Sequence, residues 1–195
     1  MELDIRPLTQ DRIADLATLF EQGGDPKWCW CAWFRVRGRD WANSTADDNR
    51  ARLTAAVPAS GTARTPGLVA YEDRVAVGWV SLGPREDFER LVYSRVLAPI
   101  DDTPVWSIVC FVVGRAARGR GVAGELLVAA IAYARDHGAT TLEAYLVDLQ
   151  TGERIASANV YRGTLTMFER AGFTVAERRT GNASTPTRPI VRLAL

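Results

Sequence analysis

The stretch from Val105 to His137 constrains the fold more than any other part of the sequence. Val105 to Val113 is an almost wholly apolar run, the pattern of a strand covered on both faces. A basic loop with two glycines, Arg115 to Gly121, follows and leads straight into a helical pattern from Val122 to His137. Leu126, Leu127, Ala130, Ile131 and Ala134 form the apolar stripe of that helix, and Gly138 stops it. The first turn of a helix leaves about four backbone N–H groups unpaired, and the helix dipole adds partial positive charge there. Gly119 and Gly121 let the backbone curl, while Arg115, Arg118 and Arg120 add full charges. The arrangement predicts a cradle for a phosphate or pyrophosphate, against the plainer reading of a solvated Arg-Gly turn. A Walker loop is excluded because Lys27 is the only lysine.

Upstream, Leu3, Ile5 and Leu8 read as an opening strand, and Thr9 starts a helical pattern that ends at Gly23-Gly24. Trp28, Trp30, Trp33 and Trp41 crowd one segment together with Cys29 and Cys31. Asn43 or Ser44 is expected to cap a second helix running to about Val57. Residues 67–71 and 75–82 predict a hairpin turning at Glu72-Asp73, and 84–104 read as irregular. Downstream, 140–147 is expected to be a strand, 148–158 a loop and 161–170 a helix closed by Ala171-Gly172-Phe173. Residues 175–179 and 190–195 read as a last antiparallel pair across a Gly/Asn/Ser/Thr/Pro loop. Hairpins mixed with helix crossovers imply an α/β fold, with one mixed sheet and helices on both faces. No internal repeat or linker divides the 195 residues, so a single domain over 1–195 is expected.

Composition narrows the chemistry. The net charge of +1 gives no bulk field toward nucleic acid or acidic lipid, so no nucleic-acid or membrane partner is expected. No apolar run approaches the ~18 residues of a membrane helix, and Met1-Glu2-Leu3-Asp4 does not open a signal peptide; a cytoplasmic protein is expected. Three Cys make a poor disulfide framework. The one histidine, His137, sits at a helix end before a glycine, where a capping role outweighs a catalytic one. Cys29-x-Cys31 could be half of a metal site, but no partner ligands are visible, and no metal is expected.

Arg118-Gly119-Arg120-Gly121-Val122-Ala123 matches the (Gln/Arg)-x-x-Gly-x-(Gly/Ala) motif of the GNAT superfamily of acyl-CoA N-acyltransferases. Together with the element order and the Met167-to-Phe173 helix ending in Gly-Phe, this resembles GNAT proteins over nearly the whole chain. The resemblance implies splayed fourth and fifth strands, with acetyl-CoA as co-substrate. The backbone from Phe111 through Val112 to Val113 would pair with the pantetheine arm, and the amides of Arg118, Gly119, Arg120, Gly121, Val122 and Ala123 would bind the pyrophosphate. An amine, on a small molecule or peptide, would attack the thioester directly in a ternary complex.

The sequence departs from the family where protons are handled. Phe168 stands where many members place an acidic Tyr against the cofactor, and Cys110 stands in the usual place of a base Glu. Tyr161 and Thr164 replace the usual Asn and Ala. A CoA-binding module without turnover is therefore an alternative reading, and a phosphate-binding interaction domain a third. Candidates for proton transfer are Glu143 and Tyr145, which share one face of the fifth strand, with Cys110. If that face looks into the splay, Glu143 could relay a proton through water; the plainer reading is a solvated strand face. Asp101 and Asp102 could attract a cationic acceptor, or simply form a turn. Trp28, Trp30 and Trp33 fall in the segment 28–42, which in GNAT proteins is variable and often lines the acceptor site. Core packing or the face of a homodimer are equally consistent with so much aromatic surface.

Overall fold

A seven-stranded sheet in the order β1-β2-β3-β4-β5-β7-β6 organises the molecule. The structure, a computed structural model, describes residues 2–59, 64–94, 96–147, 161–179 and 187–195. The strands are β1 (Asp4–Pro7), β2 (Gly67–Glu72), β3 (Val75–Pro84), β4 (Trp106–Val113), β5 (Thr141–Tyr145), β6 (Thr174–Arg179) and β7 (Arg188–Ala194). Strands β4 and β5 pair in parallel and the other neighbours are antiparallel, so the sheet is mixed, as the element order predicts. The expected loops at 148–158 and between the last two strands lie largely outside the described residues.

The helices in chain order are α1 (Ile13–Glu21), α2 (Pro26–Cys29), α3 (Gly38–Trp41), α4 (Ala46–Ala55), α5 (Glu89–Tyr93), α6 (Val122–Asp136) and α7 (Leu165–Arg170). They divide the core in two. Leu16, Leu19 and Phe20 of α1 pack with Trp30, Trp79 and Val112 on one face of the sheet. On the other face, Leu126, Leu127 and Ala130 of α6 and Phe168 of α7 pack with Val80, Ile108 and Phe111. Helix α4 starts at Thr45, one or two residues later than expected. There Thr45 Oγ1 accepts from the Asp48 amide while the Asp48 carboxylate accepts from the Thr45 amide. Segment 84–104 is less irregular than its composition suggests, since it contains a 3-10 turn over Arg85–Asp87 and α5. Helix α7 is shorter than expected and is capped by Thr164, whose hydroxyl accepts from the Met167 amide.

Two local features shape the centre. Ser81 pairs with Cys110 and Leu82 with Ile108, so Val109 is an extra residue in β4, a bulge. A bulge bends its strand, and pairing between β4 and β5 covers only residues 106–108 and 142–144. The two strands therefore part at the bulge. The second feature is Gly78 of β3, where a Cβ would come within 2.7 Å of a Val122 methyl carbon and 2.9 Å of Leu126. Its bare backbone lets the start of α6 settle against the sheet.

Candidate active site

The bulge interrupts the alternation of β4 and puts two consecutive residues on one face of the sheet. Val109 and Cys110 both join the α1 side, whereas Phe111 faces α6. A cavity lies on each side.

The first, of about 640 Å³, runs between Phe111 and Val113 of β4, the loop before α6, and α7. Gly119 and Gly121 line it with φ of +73° and +84°, a left-handed backbone that favours glycine. The amides of Gly124 and Glu125 return to the Gly121 carbonyl, so those of Val122 and Ala123 begin the helix without an intrahelical acceptor. Arg118, Val122 and Ala123 also line the cavity. Val112 and Arg120 do not. Val112 packs into the opposite core, and the Arg120 guanidinium is held in two contacts by the Glu72 carboxylate. Phe168 lies fully buried beneath the cavity, its ring edge-on to Phe111 and Phe173. Thr166, Met167 and Arg170 of α7 also line the cavity, and no motif in the sequence marks them for it.

The second cavity, of about 610 Å³, is walled by Trp28, Trp33, Phe34 and Trp41 and floored by Val109 and Cys110. Trp30 departs from expectation. It is a core residue, 5% exposed, set edge-on to Phe20 with ring centroids 5.2 Å apart. Trp30 and Cys31 both have left-handed backbones, φ +46° and +51°, and this doubled kink separates Trp30 from the tryptophans at the pocket. Trp28 meets Trp41 edge-on at 4.7 Å. The Cys31 and Cys110 sulfurs lie 2.9 Å apart as free thiols, and burial pushes the Cys31 thiol well above its ordinary range. Asp102 is exposed and lines neither cavity; its neighbour Asp101 accepts from Arg192 Nη1 at 2.6 Å.

Tyr161 borders both cavities. Its carbonyl accepts from the Phe111 amide at 2.6 Å, on the edge that β4 exposes once it leaves β5. Burial raises the pKa of its hydroxyl.

The expectation that Glu143 looks into the splay, or else lies on a solvated face, is corrected. Glu143 pairs with Ser107, in the closed part of the β4–β5 ladder, and is 0% exposed. Arg85 donates to its Oε1 at 2.9 Å and Arg192 to its Oε2 at 2.7 Å, and the Tyr145 hydroxyl donates to Oε1 at 2.5 Å. Arg85 also donates to the Leu91 and Leu97 carbonyls, tying the segment after β3 to β5. Tyr145 is buried as well, and burial together with the Glu143 charge pushes its hydroxyl far above the ordinary tyrosine range. Removing one partner from a buried ion pair costs about 3–5 kcal/mol, so this cluster is a scaffold. Glu143 lines neither cavity.

Among the described residues no group of three or more His, Cys, Asp or Glu is placed to hold a metal. No helix among them is long and apolar enough to cross a membrane.

A mixed sheet that opens at a bulge, with a helix-start cradle on one face and an aromatic pocket on the other, defines the architecture of the acyl-CoA-dependent acyltransferases. The model of the Acetyltransferase (GNAT) family matches residues 27–163, and the chain belongs to that family. No curated protein matches the sequence significantly. Among solved structures, a GNAT-family acetyltransferase from Desulfovibrio desulfuricans superposes with a TM-score of 0.60 at 16% identity, over 99% of both chains. A structure of the NatC complex bound to Gag peptide and CoA matches with a TM-score of 0.57 at 13% identity, over 100% of this chain and 99% of that one. The polyamine N-acetyltransferase of Drosophila melanogaster, which forms N-acetylagmatine, matches with 0.57 at 15%, over 100% of both. At these identities the likeness establishes the fold.

Proposed function

We propose that the chain transfers an acetyl group from acetyl-CoA to an amine acceptor, with CoA in the first cavity and the acceptor in the second. The observation that carries this reading is the bulge at Val109, where β4 parts from β5 and Val109 and Cys110 both line one cavity while Phe111 lines the other. The donor side fits a CoA molecule. The unpaired amides at the start of α6 and the left-handed glycines suit a pyrophosphate. The Phe111 amide already meets a carbonyl from outside the sheet, that of Tyr161, and a pantetheine carbonyl can take the same donor.

Acetyl-CoA, when bound, supplies the activated thioester. The work left to the chain is positioning, which can contribute much of the barrier lowering when two reactants are held in line. Phe111 and Val113 would align the donor, while Trp28 and Trp33 hold the acceptor. Phe168 carries no proton and Glu143 is committed to two arginines, so neither serves as acid or base in this reading. Tyr161 lies at the boundary of the two cavities and Cys110 on the floor of the second.

Thermal shift with CoA, acetyl-CoA and ATP, followed by thiol release over an amine panel, tests the reading. Stabilisation by CoA and release of free thiol with at least one amine are expected. Stabilisation by ATP but not CoA would overturn it. CoA binding with no thiol release from any amine would replace it with a CoA-binding module that does not turn over.

A further inference from the structure

The acceptor pocket holds positive charge with no carboxylate paired to it among the described residues. Arg162, just before α7, and Arg188, at the start of β7, both line it. Neither has an ion-pair partner among the described residues, although Asp25 lines the same cavity. The Arg162 guanidinium lies 5.1 Å from the Trp33 ring centre and 5.2 Å from that of Phe34, and its Nη1 is buried with no hydrogen-bond partner. A third cation, Arg90, stacks on Trp33 at 3.9 Å and spends its Nε on the Trp33 carbonyl. Burial and the neighbouring Arg188 push the Arg162 pKa down to about 10, which leaves it a cation at neutral pH.

Arg85 is matched with Glu143. Arg35 and Arg90 also carry buried nitrogens with no hydrogen-bond partner, but of these arginines only Arg162 lines either cavity. A buried guanidinium without a counter-ion is costly, and its planar fork suits a two-oxygen anion. Resting on the acetyl-transfer reading above, we propose that the acceptor carries a carboxylate in addition to its amine. The carboxylate completes the Arg162–Arg188 pair, and the body of the molecule is apolar enough to lie between Trp28, Trp33 and Trp41. That is the chemistry of an amino acid with an apolar or aromatic side chain. A polyamine or other purely cationic acceptor meets like charge here.

Matched pairs that differ only by the carboxylate test this: phenylalanine against 2-phenylethylamine, leucine against isoamylamine, and arginine against agmatine. The readout is free CoA thiol, with KM and kcat separated. Each carboxylated member is expected to exceed its partner by about 100-fold in kcat/KM, since charge-assisted bidentate pairing is the stronger class of hydrogen bond. Arg162→Gln and Arg188→Gln are each expected to raise KM for phenylalanine about tenfold or more and, by removing like charge, to ease the use of 2-phenylethylamine, so the preference between the two collapses. Arg162→Lys, which keeps the charge, should retain part of the preference and guards against a folding defect. Equal or better use of the decarboxylated amines would overturn the proposal, as would arginine variants that affect both members alike. If CoA binds but nothing turns over, tryptophan fluorescence with CoA present separates the two claims. Quenching by phenylalanine that Arg162→Gln abolishes upholds the carboxylate site while the transfer reading fails. No quenching by phenylalanine overturns the carboxylate site as well.

Discussion

The two cavities that meet at Tyr161 are made of different material. The donor cleft is built from backbone: left-handed glycines, the first amides of α6, and the free edge of β4. The acceptor pocket is built from side chains that come from α2, the 3-10 turn over Ala32–Arg35, β4, the residues before α7, and β7. A backbone site tolerates exchange of the side chains around it and fails when the conformation is blocked. A side-chain site behaves in the opposite way, since each truncation changes what it binds. In the proposed reading this contrast separates a fixed donor from an acceptor that is specific to this chain.

Glu143→Gln carries the largest expected effect, because it removes charge from a buried cluster that supports the pocket side. A loss of about 3–5 kcal/mol is expected, read as a lower denaturation midpoint, while the fraction that remains folded binds CoA normally. Unchanged stability together with a shifted pH–rate profile would return Glu143 to a catalytic role. Phe168→Tyr comes next. Its hydroxyl would enter a fully buried site between aromatic rings, at a cost of about 1–3 kcal/mol if left unpaired. Turnover by the folded protein should not change, and a faster variant would show that this position reaches the leaving sulfur after all. Arg120→Ala should change CoA affinity less than about threefold, because the guanidinium belongs to Glu72 and an exposed pair is worth about 1 kcal/mol at most. A large loss in a titration would mean that the cleft depends on side-chain charge.

The smallest effect is set by pH. Arg192 holds the Asp101 carboxyl down to about 2 from the ordinary 3.8. A depressed folded-state pKa contributes stability above 3.8 that is lost as the pH falls toward 2. Asp101→Asn should therefore flatten acid unfolding in that window and leave neutral-pH binding of both ligands unchanged. An unaltered acid limb would show that the contact carries no stability.

The same contrast explains what can be read from the sequence. One wall of the first cavity is contiguous in the chain, and strand, glycine loop and helix are each local patterns. The loop at 118–123 is therefore legible in the sequence, although Arg120 turns away and α7 completes the cavity. The bulge at Val109 is not, because an apolar run shows burial on both faces but not an extra residue in the pairing. Its consequence, Val109 and Cys110 sharing one cavity, is hidden with it. Trp28 and Trp33 line a pocket, as their crowding in one segment suggests. Trp30 shares their composition and differs only through the left-handed kink at 30–31. Arg162 and Arg188 are separated along the chain and carry no motif. Glu143 looks like one member of an ordinary alternating strand because its partners, Arg85 and Arg192, come from β3's end and β7.

Calorimetric titration of CoA into the protein and into Gly121→Glu tests the central claim most directly. Gly121 faces open space at φ +84°, so a glutamate there adds backbone strain and sets a carboxylate in the path of the pyrophosphate, while Gly121→Ala adds the strain alone. One CoA per chain is expected for the parent and a modest loss for the alanine variant. For the glutamate variant a loss of about 100-fold or more, about 2.7 kcal/mol, is expected, with melting close to that of the alanine variant. CoA binding by Gly121→Glu as tight as by the parent would contradict the account.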